Sequence, residues 1–323
     1  MAAENILTIA YLNIRGQSGL PVDKQLQIEA FAKYNNCDII NLQEAHIESE
    51  TFSTCNFIQS TFNIIDNNSR NKFGTASLVK SGLNFENVRN DLEGRALFFD
   101  IGDMTFGNLY LPSGTDARSR SKRESYCCEV LPNLMVNSKE TGCIGGDFNC
   151  IVSHMDATNY PEAKMSRGLQ RLIQLKNLQD SYRTLHPTSR TFSRYYENTR
   201  AEGATRIDRN YHFGEITVKD VWYQPLAFSD HFGLVIKIIL PNQLTKILSP
   251  KCRFQFKLTA EVIKDKVFKE RLGLAMVSWD RVREFDNRNS LSVLQWWEML
   301  VKPGVRQLDI QRSKEIRKKS RGS

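Results

Sequence analysis

The sequence predicts an α/β protein in which packed sheets are covered on the outside by helices. Three observations carry this expectation. Residues 1–240 alternate short apolar, strand-like runs with helical patterns and Gly or Asp turns. The run at 6–14 is nearly continuous in apolar character, as strands covered on both faces are, and 38–42 reads as a short buried strand. A length of 323 residues with 41% apolar and 10% aromatic side chains can bury one large core or two modest ones.

The elements follow in order. A strand over 6–14 is succeeded by a helical pattern that begins at Pro21 and runs through Ile28 and Phe31, then by the short buried strand 38–42. Strands at 74–80, 96–101 and 105–111 are bounded by Gly and Asp turns. A helix covers 118–135 with a break at Pro132, and another covers 167–178. Strands return at 191–194, 206–211, 215–222 and 231–240. Pro241-Asn242-Gln243 and Ser249-Pro250 separate a domain of residues 1–240 from a helical extension of residues 241–323. In the extension, 259–272 is amphipathic with Thr259 as its cap. Residues 291–299, with Trp296-Trp297, and 305–319 read as two further helices.

The charge is unevenly placed. Residues 1–240 hold 25 Lys and Arg against 27 Asp and Glu, whereas 241–323 hold 19 against 9, so the extension supplies the excess behind the net +8. A basic extension calls for a polyanionic partner. No apolar run reaches the roughly 18 residues that span a bilayer, so no membrane partner is expected. The chain passes from Met-Ala-Ala-Glu straight into a strand-like run, without a signal peptide pattern. Seven Cys with no Cys-x-x-Cys spacing fit a reduced cytoplasmic or nuclear compartment.

Chemistry concentrates in Gly145-Gly146-Asp147-Phe148-Asn149 and Ser229-Asp230-His231. The first reads as the short apolar strand Cys143-Ile144 running into a Gly-Gly turn. The second puts a carboxylate beside an imidazole just before a strand. Carboxylates, an amide and a His at strand ends are the parts needed for metal-assisted attack of water on a phosphodiester. Glu44 ends a buried strand, where a carboxylate suits Mg2+. The Asn13 amide can bond a phosphate oxygen or a water, and the Tyr110 hydroxyl can stabilise phosphoryl charge. Asp208 can orient His231 and favour its protonated form. Each residue alone has a plainer reading: turn former, surface carboxylate, core tyrosine, structural histidine. Their joint occurrence at strand ends outweighs those readings. His46, His154, His186 and His212 lack such company and are read as structural.

Motif by motif, Asn13, Gln43-Glu44, Tyr110-x-Pro112, Gly146-Asp147-Phe148-Asn149, Asp208 and Ser229-Asp230-His231 resemble the endonuclease/exonuclease/phosphatase superfamily over about residues 5–240. The resemblance implies a two-sheet, deoxyribonuclease I-like α/β sandwich with the site where the sheets open. It implies that Glu44 binds a divalent metal, Mg2+ or Mn2+ in its place, and that Asp230 supports the metal or the water. Asp147 with Asn149 would position or activate water, Asp208 would pair with His231, and Tyr110 and Asn13 would contact phosphate. Whether Asp147 or His231 is the base stays open at this point.

Arg15 stands where apurinic/apyrimidinic (AP) endonucleases carry an acidic residue, which disfavours a second metal and a repair enzyme. Instead 12–16, 42–46, 110–113, 206–209 and 229–234 look like the endonuclease of a non-LTR (LINE-type) retrotransposon polyprotein. That resemblance implies an enzyme made in the cytoplasm that nicks one strand of duplex DNA in the nucleus. The nick would leave a 3′-hydroxyl as primer for reverse transcription. It also implies that the basic extension leads toward a reverse transcriptase, with element RNA as a further partner. Thr191 would lie near bound phosphate, and a 194–205 hairpin bearing Tyr195, Tyr196 and Arg200 would enter the DNA. The competing expectations are an AP repair endonuclease, another phosphodiesterase or phosphatase of the superfamily, and an inactive nucleic-acid-binding remnant.

Overall fold

The computed structural model describes residues 5–16, 20–45, 47, 51–52, 55–67, 74–158, 165–198 and 201–240, and in the extension 262, 264–285, 301, 304, 305, 308, 312 and 315. The chain forms two compact units. One comprises Met1–Gly19, Cys37–Glu48 and Phe62–Ser249, the other Leu20–Asn36, Ser49–Thr61 and Pro250–Ser323.

The first unit is built on two six-stranded sheets. One contains β1 (Ile6–Asn13), β2 (Ile39–Gln43), β3 (Phe62–Asp66), β4 (Ala76–Lys80), β13 (Thr217–Pro225) and β14 (Phe232–Ile239), in the order β13-β14-β1-β2-β4-β3. The other contains β5 (Glu86–Asn90), β6 (Ala96–Ile101), β7 (Met104–Tyr110), β8 (Thr141–Asp147), β9 (Gln179–Asp180) and β12 (Asp208–Phe213), in the order β5-β6-β7-β8-β12-β9. A separate hairpin pairs β10 (Arg194–Asn198) with β11 (Ala201–Thr205).

Both sheets are antiparallel but for one parallel pair near the middle, β1–β2 in the first and β7–β8 in the second. Parallel neighbours end at the same edge. Asn13 is therefore in register with Gln43, and Tyr110 with Asp147. The antiparallel partner β12 begins where β8 ends, which sets Asp208 opposite Asp147. By the same rule β14 begins beside the end of β1, with Leu234 opposite Tyr11.

The alternation of strand side chains divides the core in two. Leu97, Phe99 and Ile101 of β6 join Leu7, Ile9, Tyr11 and Ile236 in the cluster that includes both sheets. Ala96 and Phe98 point the other way, into a cluster with Tyr126, Leu131, Leu169 and Leu172 from the covering helices. Burying each such large apolar side chain stabilises the fold by about 1.5–3 kcal/mol.

The helices of this second layer are α3 (Ala117–Ser125), α4 (Leu131–Leu134), α5 (Arg167–Leu175) and α6 (Ser181–Leu185). Asp116, Ser166 and Asp180 cap α3, α5 and α6 by accepting from backbone N–H groups. The break expected at Pro132 takes the form of a π turn over Tyr126–Val130, in which Leu131 N–H reaches back to Tyr126 O. The wide turn sits where the proline has no N–H to give and its ring crowds the preceding turn. Strands β3 and β5 were not expected. Both are edge strands, short and poor in the apolar pattern that marks central ones.

In the second unit, α1 (Val22–Asn35) ends at Asn36 in the left-handed region, and α2 covers Asn56–Thr61. Gln25 ties this unit locally, donating to Leu20 O and accepting from Phe52 N–H. The extension contributes a helix over Lys266–Phe285. Asp265 caps it through Phe268 N–H and pairs with Arg312. Thr259 and residues 291–299 lie outside the described residues. Among the described residues no helix is long and apolar enough to cross a membrane.

Candidate active site

The strand registers bring the expected residues to one edge of the sandwich. Asn13, Glu44, Asp230 and His231 come from the first sheet and its strand ends, whereas Tyr110, Asp147 and Asp208 come from the second. The sheets are joined just behind them by Asn108 of β7. Its amide donates to Leu42 O at 3.0 Å and Ala76 O at 2.9 Å, and its carbonyl accepts from Gln43 Nε2 at 2.7 Å.

Gly145 and Gly146, expected in a turn, are strand residues of β8, just before its last residue, Asp147. A Cβ on Gly145 would meet the Tyr11 ring of the opposite sheet at 2.7 Å. Gly146 has φ +132°, and a Cβ there would stand 2.0 Å from Leu109 O. Both positions need glycine, the first for close approach and the second for its backbone conformation.

Asp147 is buried and accepts three hydrogen bonds, from Asn13 Nδ2 at 3.0 Å, Asn149 N–H at 2.8 Å and Asn149 Nδ2 at 3.1 Å. The same Asn13 nitrogen donates to Glu44 Oε1 at 3.1 Å. One amide thus holds two carboxylates together. Asn149 also donates to Leu111 O, which fixes its side chain against the end of β7. Arg15, Glu44 and Asn149 have φ of +48°, +55° and +48°. For residues with a Cβ that conformation costs roughly 1–2 kcal/mol, and such strain gathers at functional sites.

His231 is buried, with Nδ1 between both oxygens of Asp208 at 2.9 and 3.1 Å. Asp208 is itself held, its N–H donating to Ser193 Oγ and its carbonyl accepting from Tyr223 Oη. Ser229 Oγ donates to Asn13 O at 2.7 Å and accepts from His231 N–H, pinning the Ser229–His231 turn to the end of β1.

Burial and the nearby Asp208 charge push the Asp147 carboxyl up to about 7, against the pull of His231 and the hydrogen bonds from Asn149 and Asn13. For His231 burial works downward, but the Asp208 carboxylate outweighs it and brings the imidazole to about 9. The Tyr110 hydroxyl is pushed well above its ordinary range by burial and by the charges of Glu44 and Asp147, so it stays a donor. Burial opposes ionisation of Asp230, but Arg194, His231 and Arg15 hold its carboxyl below the usual range.

Among the described residues Asp147, Asp208 and His231 form a group whose ligand atoms lie within 4.8 Å of one another. Nδ1 of His231 already bonds Asp208, so this group serves acid–base chemistry better than metal ligation. Hard oxygen donors gather instead at Glu44 and Asp147, whose like charges share one Asn13 proton donor, an arrangement a divalent cation would relieve. Asp230, the other expected ligand, is paired with Arg194 at 2.8 Å and with Arg15 at 3.6 Å.

Thr191 accepts from Tyr182 Oη at 2.7 Å and bonds Ser189, within a hydroxyl cluster before the hairpin. Within the expected 194–205, Arg194–Asn198 pairs with Ala201–Thr205, and Tyr195 is exposed and packed against Phe192 and Phe232. Tyr196 lies along Gly203. Arg200 lies outside the described residues.

Sequence reasoning missed the support beneath Asp208. Buried Asp156 receives Arg206 Nε at 2.9 Å, Arg209 Nη2 at 3.0 Å and Arg183 Nη2 at 3.1 Å. Arg209 also donates to Cys150 O at 2.9 Å, beside Asn149, and Arg206 to both oxygens of Asp180. Burial raises the Asp156 carboxyl, but the arginines outweigh it and hold the group far below its usual range. Arg206-Ile207-Asp208-Arg209 carried the signal only as a dense run of charge. Full burial of two arginines is not legible in such a run.

No family model matches this chain, and no curated protein matches it. Solved structures do. An AP endonuclease from Archaeoglobus fulgidus matches with TM-score 0.59 and 19% identity, over 71% of this chain and 98% of that one. The 3′ phosphatase NExo from Neisseria bound to a product DNA hairpin matches with TM-score 0.58 and 19% identity, over 71% and 98%. An AP endonuclease from Leishmania major matches with TM-score 0.57 and 17% identity, over 73% and 88%. The fold is theirs. At such identities the likeness speaks of the deoxyribonuclease I-like sandwich and of nothing further.

Proposed function

We propose that the protein is a divalent-metal-dependent endonuclease that nicks one strand of duplex DNA and leaves a 3′-hydroxyl. The observation that carries this reading is the Asn13 amide joining Glu44 to Asp147 beside the Asp208–His231 pair. Glu44 would hold the metal, Mg2+ or Mn2+, whose charge polarises a phosphoryl oxygen when bound. Asp147, raised to about 7, is matched to take a proton from water near neutrality. Asn149 and Asn13 hold that carboxylate in place through three hydrogen bonds. His231, carrying its proton up to about pH 9, supplies positive charge where the phosphoryl oxygens gain negative charge. Tyr110 remains a hydroxyl donor toward the same charge.

The biological setting we assign is target-primed reverse transcription of a non-LTR retrotransposon. Its support is the set of sequence resemblances together with the excess positive charge of 241–323. The domain of residues 1–240 would cut chromosomal DNA in the nucleus, and the basic linker beyond it would contact element RNA.

Supercoiled-plasmid nicking by wild type and Asp147→Ala, with Mg2+ or EDTA, tests the chemistry. Nicks that a polymerase extends, only with metal and only from wild type, are the expected result. Metal-independent nicking or a fully active variant would refute the mechanism. An AP-site duplex cut far faster than intact plasmid would move the assignment to repair.

A further inference from the structure

The site edge carries four carboxylates, Glu44, Asp147, Asp208 and Asp230, and its substrate under the reading above is itself an anion. Something must receive the phosphodiester's charge before it reaches the buried Asp147. Two guanidiniums stand at the rim, each on a different oxygen of Asp230. Arg15 Nη1 lies 3.6 Å from Oδ1, and Arg194 binds Oδ2 through Nε at 3.0 Å and Nη2 at 2.8 Å.

Their backbones are placed with unusual care. Arg15 adopts φ +48°, its N–H donates to Asn13 Oδ1 at 3.0 Å, and Gly16 N–H donates to Glu44 O. Arg194 opens the hairpin and forms a backbone bridge with His231. Asp230 sits in the turn that Ser229 fastens to Asn13 O. The Arg15 side chain is 64% exposed and that of Arg194 34%, against 26% for Asp230. Both cationic side chains are thus more exposed than the carboxylate they share.

We propose that Arg15 and Arg194, hinged on Asp230, form a clamp that receives a phosphodiester group of the substrate strand and delivers it to Asp147 and His231. On this view Asp230 is a positioning residue that spaces two guanidiniums rather than a metal ligand. Arginine suits the task because each guanidinium carries five N–H donors, more than its contacts with Asp230 use. The clamp rests on the phosphodiesterase reading, but it concerns substrate capture and is separable from the choice of DNA as target.

The test is steady-state kinetics with Mg2+ on two substrates, a nickable duplex and the small diester bis(4-nitrophenyl) phosphate. Wild type is compared with Arg15→Gln, Arg15→Lys and Arg194→Gln. Each Gln variant should raise KM about tenfold on both substrates while kcat stays within about twofold. Arg15→Lys should recover part of the loss, and the salt slope of duplex binding should fall by about one per arginine removed. Unchanged KM and salt slope would overturn the clamp and leave the nuclease reading standing. A loss confined to kcat would overturn it equally. Arginine-dependent KM on the small diester from a protein that never nicks duplex would uphold the clamp and overturn the DNA reading. A wild type inert on both substrates overturns both. Arg15 is exposed, so its variants keep the test informative should Arg194→Gln fail to fold.

Discussion

Both carboxylate oxygens of Asp208 face the same nitrogen of His231, Nδ1, at 2.9 and 3.1 Å. That leaves the other ring nitrogen for the substrate side and commits the imidazole to the protonated state through neutrality.

Asp208→Asn should therefore move the His231 titration from about 9 toward the unperturbed value of about 6.5. The alkaline limb of the pH–rate profile should shift by the same interval, and NMR titration of the imidazole reads it directly. A raised histidine contributes fully below its unfolded value of about 6.5 and loses that contribution as pH rises through about 9. Wild type should lose stability across that window relative to Asp208→Asn. An unmoved alkaline limb would detach Asp208 from the chemistry.

Asp147→Asn should abolish nicking, yet the variant should gain thermal stability relative to wild type as pH rises. Asp147 is raised to about 7, so the folded state holds its proton more tightly than the unfolded chain. Its favourable contribution is complete below the unfolded value of about 3.9 and is lost as pH rises through about 7. Melting in EDTA at pH 5 and pH 8.5 should show the difference in Tm moving toward the variant by several degrees. A constant difference would mean that Asp147 ionises freely.

Metal binding should be visible without catalysis. Adding Mg2+ to wild type should raise Tm, because a ligand that binds only the folded state stabilises it. Glu44→Gln removes one of the two carboxylates that share Asn13. It should need at least about tenfold more Mg2+ for the same thermal shift. Equal shifts in both proteins would place the metal elsewhere.

Asp156→Ala probes the support that sequence reasoning missed. Removing the carboxylate shared by Arg183, Arg206 and Arg209 leaves Arg206 its pair with Asp180 but strips the buried Arg209 of its ion-pair partner. The expected cost is about 3–5 kcal/mol in urea unfolding, the usual range for breaking a buried ion pair. Nicking should fall as well, because Arg209 also holds Cys150 O next to Asn149. A variant as stable as wild type would show the network to be replaceable.

The strand ends and their chemistry were legible because they obey local rules. Gly145-Gly146-Asp147, Glu44 and Ser229-Asp230-His231 stand next to apolar runs, and parallel pairing carries such ends to a common edge. Asp230 was legible as a residue but not as an ion-pair partner, since its arginines lie 215 and 36 residues away in sequence by their numbering. Tertiary pairing of that kind leaves no local trace. Edge strands β3 and β5 escaped notice because their apolar pattern is weak, and the glycine pair read as a turn because glycine marks both turns and close approach. Asp156, a plain acid in His154-Met155-Asp156, gave no sign that three arginines would converge on it.

The stitch formed by Asn108 and Gln43 makes half of the reactive groups depend on each layer of the sandwich. Asp208 meets His231, and Asp147 meets Asn13, across the two layers through a few directional contacts, whereas each apolar cluster is held by many side chains. Activity is then far more fragile than shape. Substitutions that disturb the meeting of the two layers would silence the chemistry well before they undid the fold.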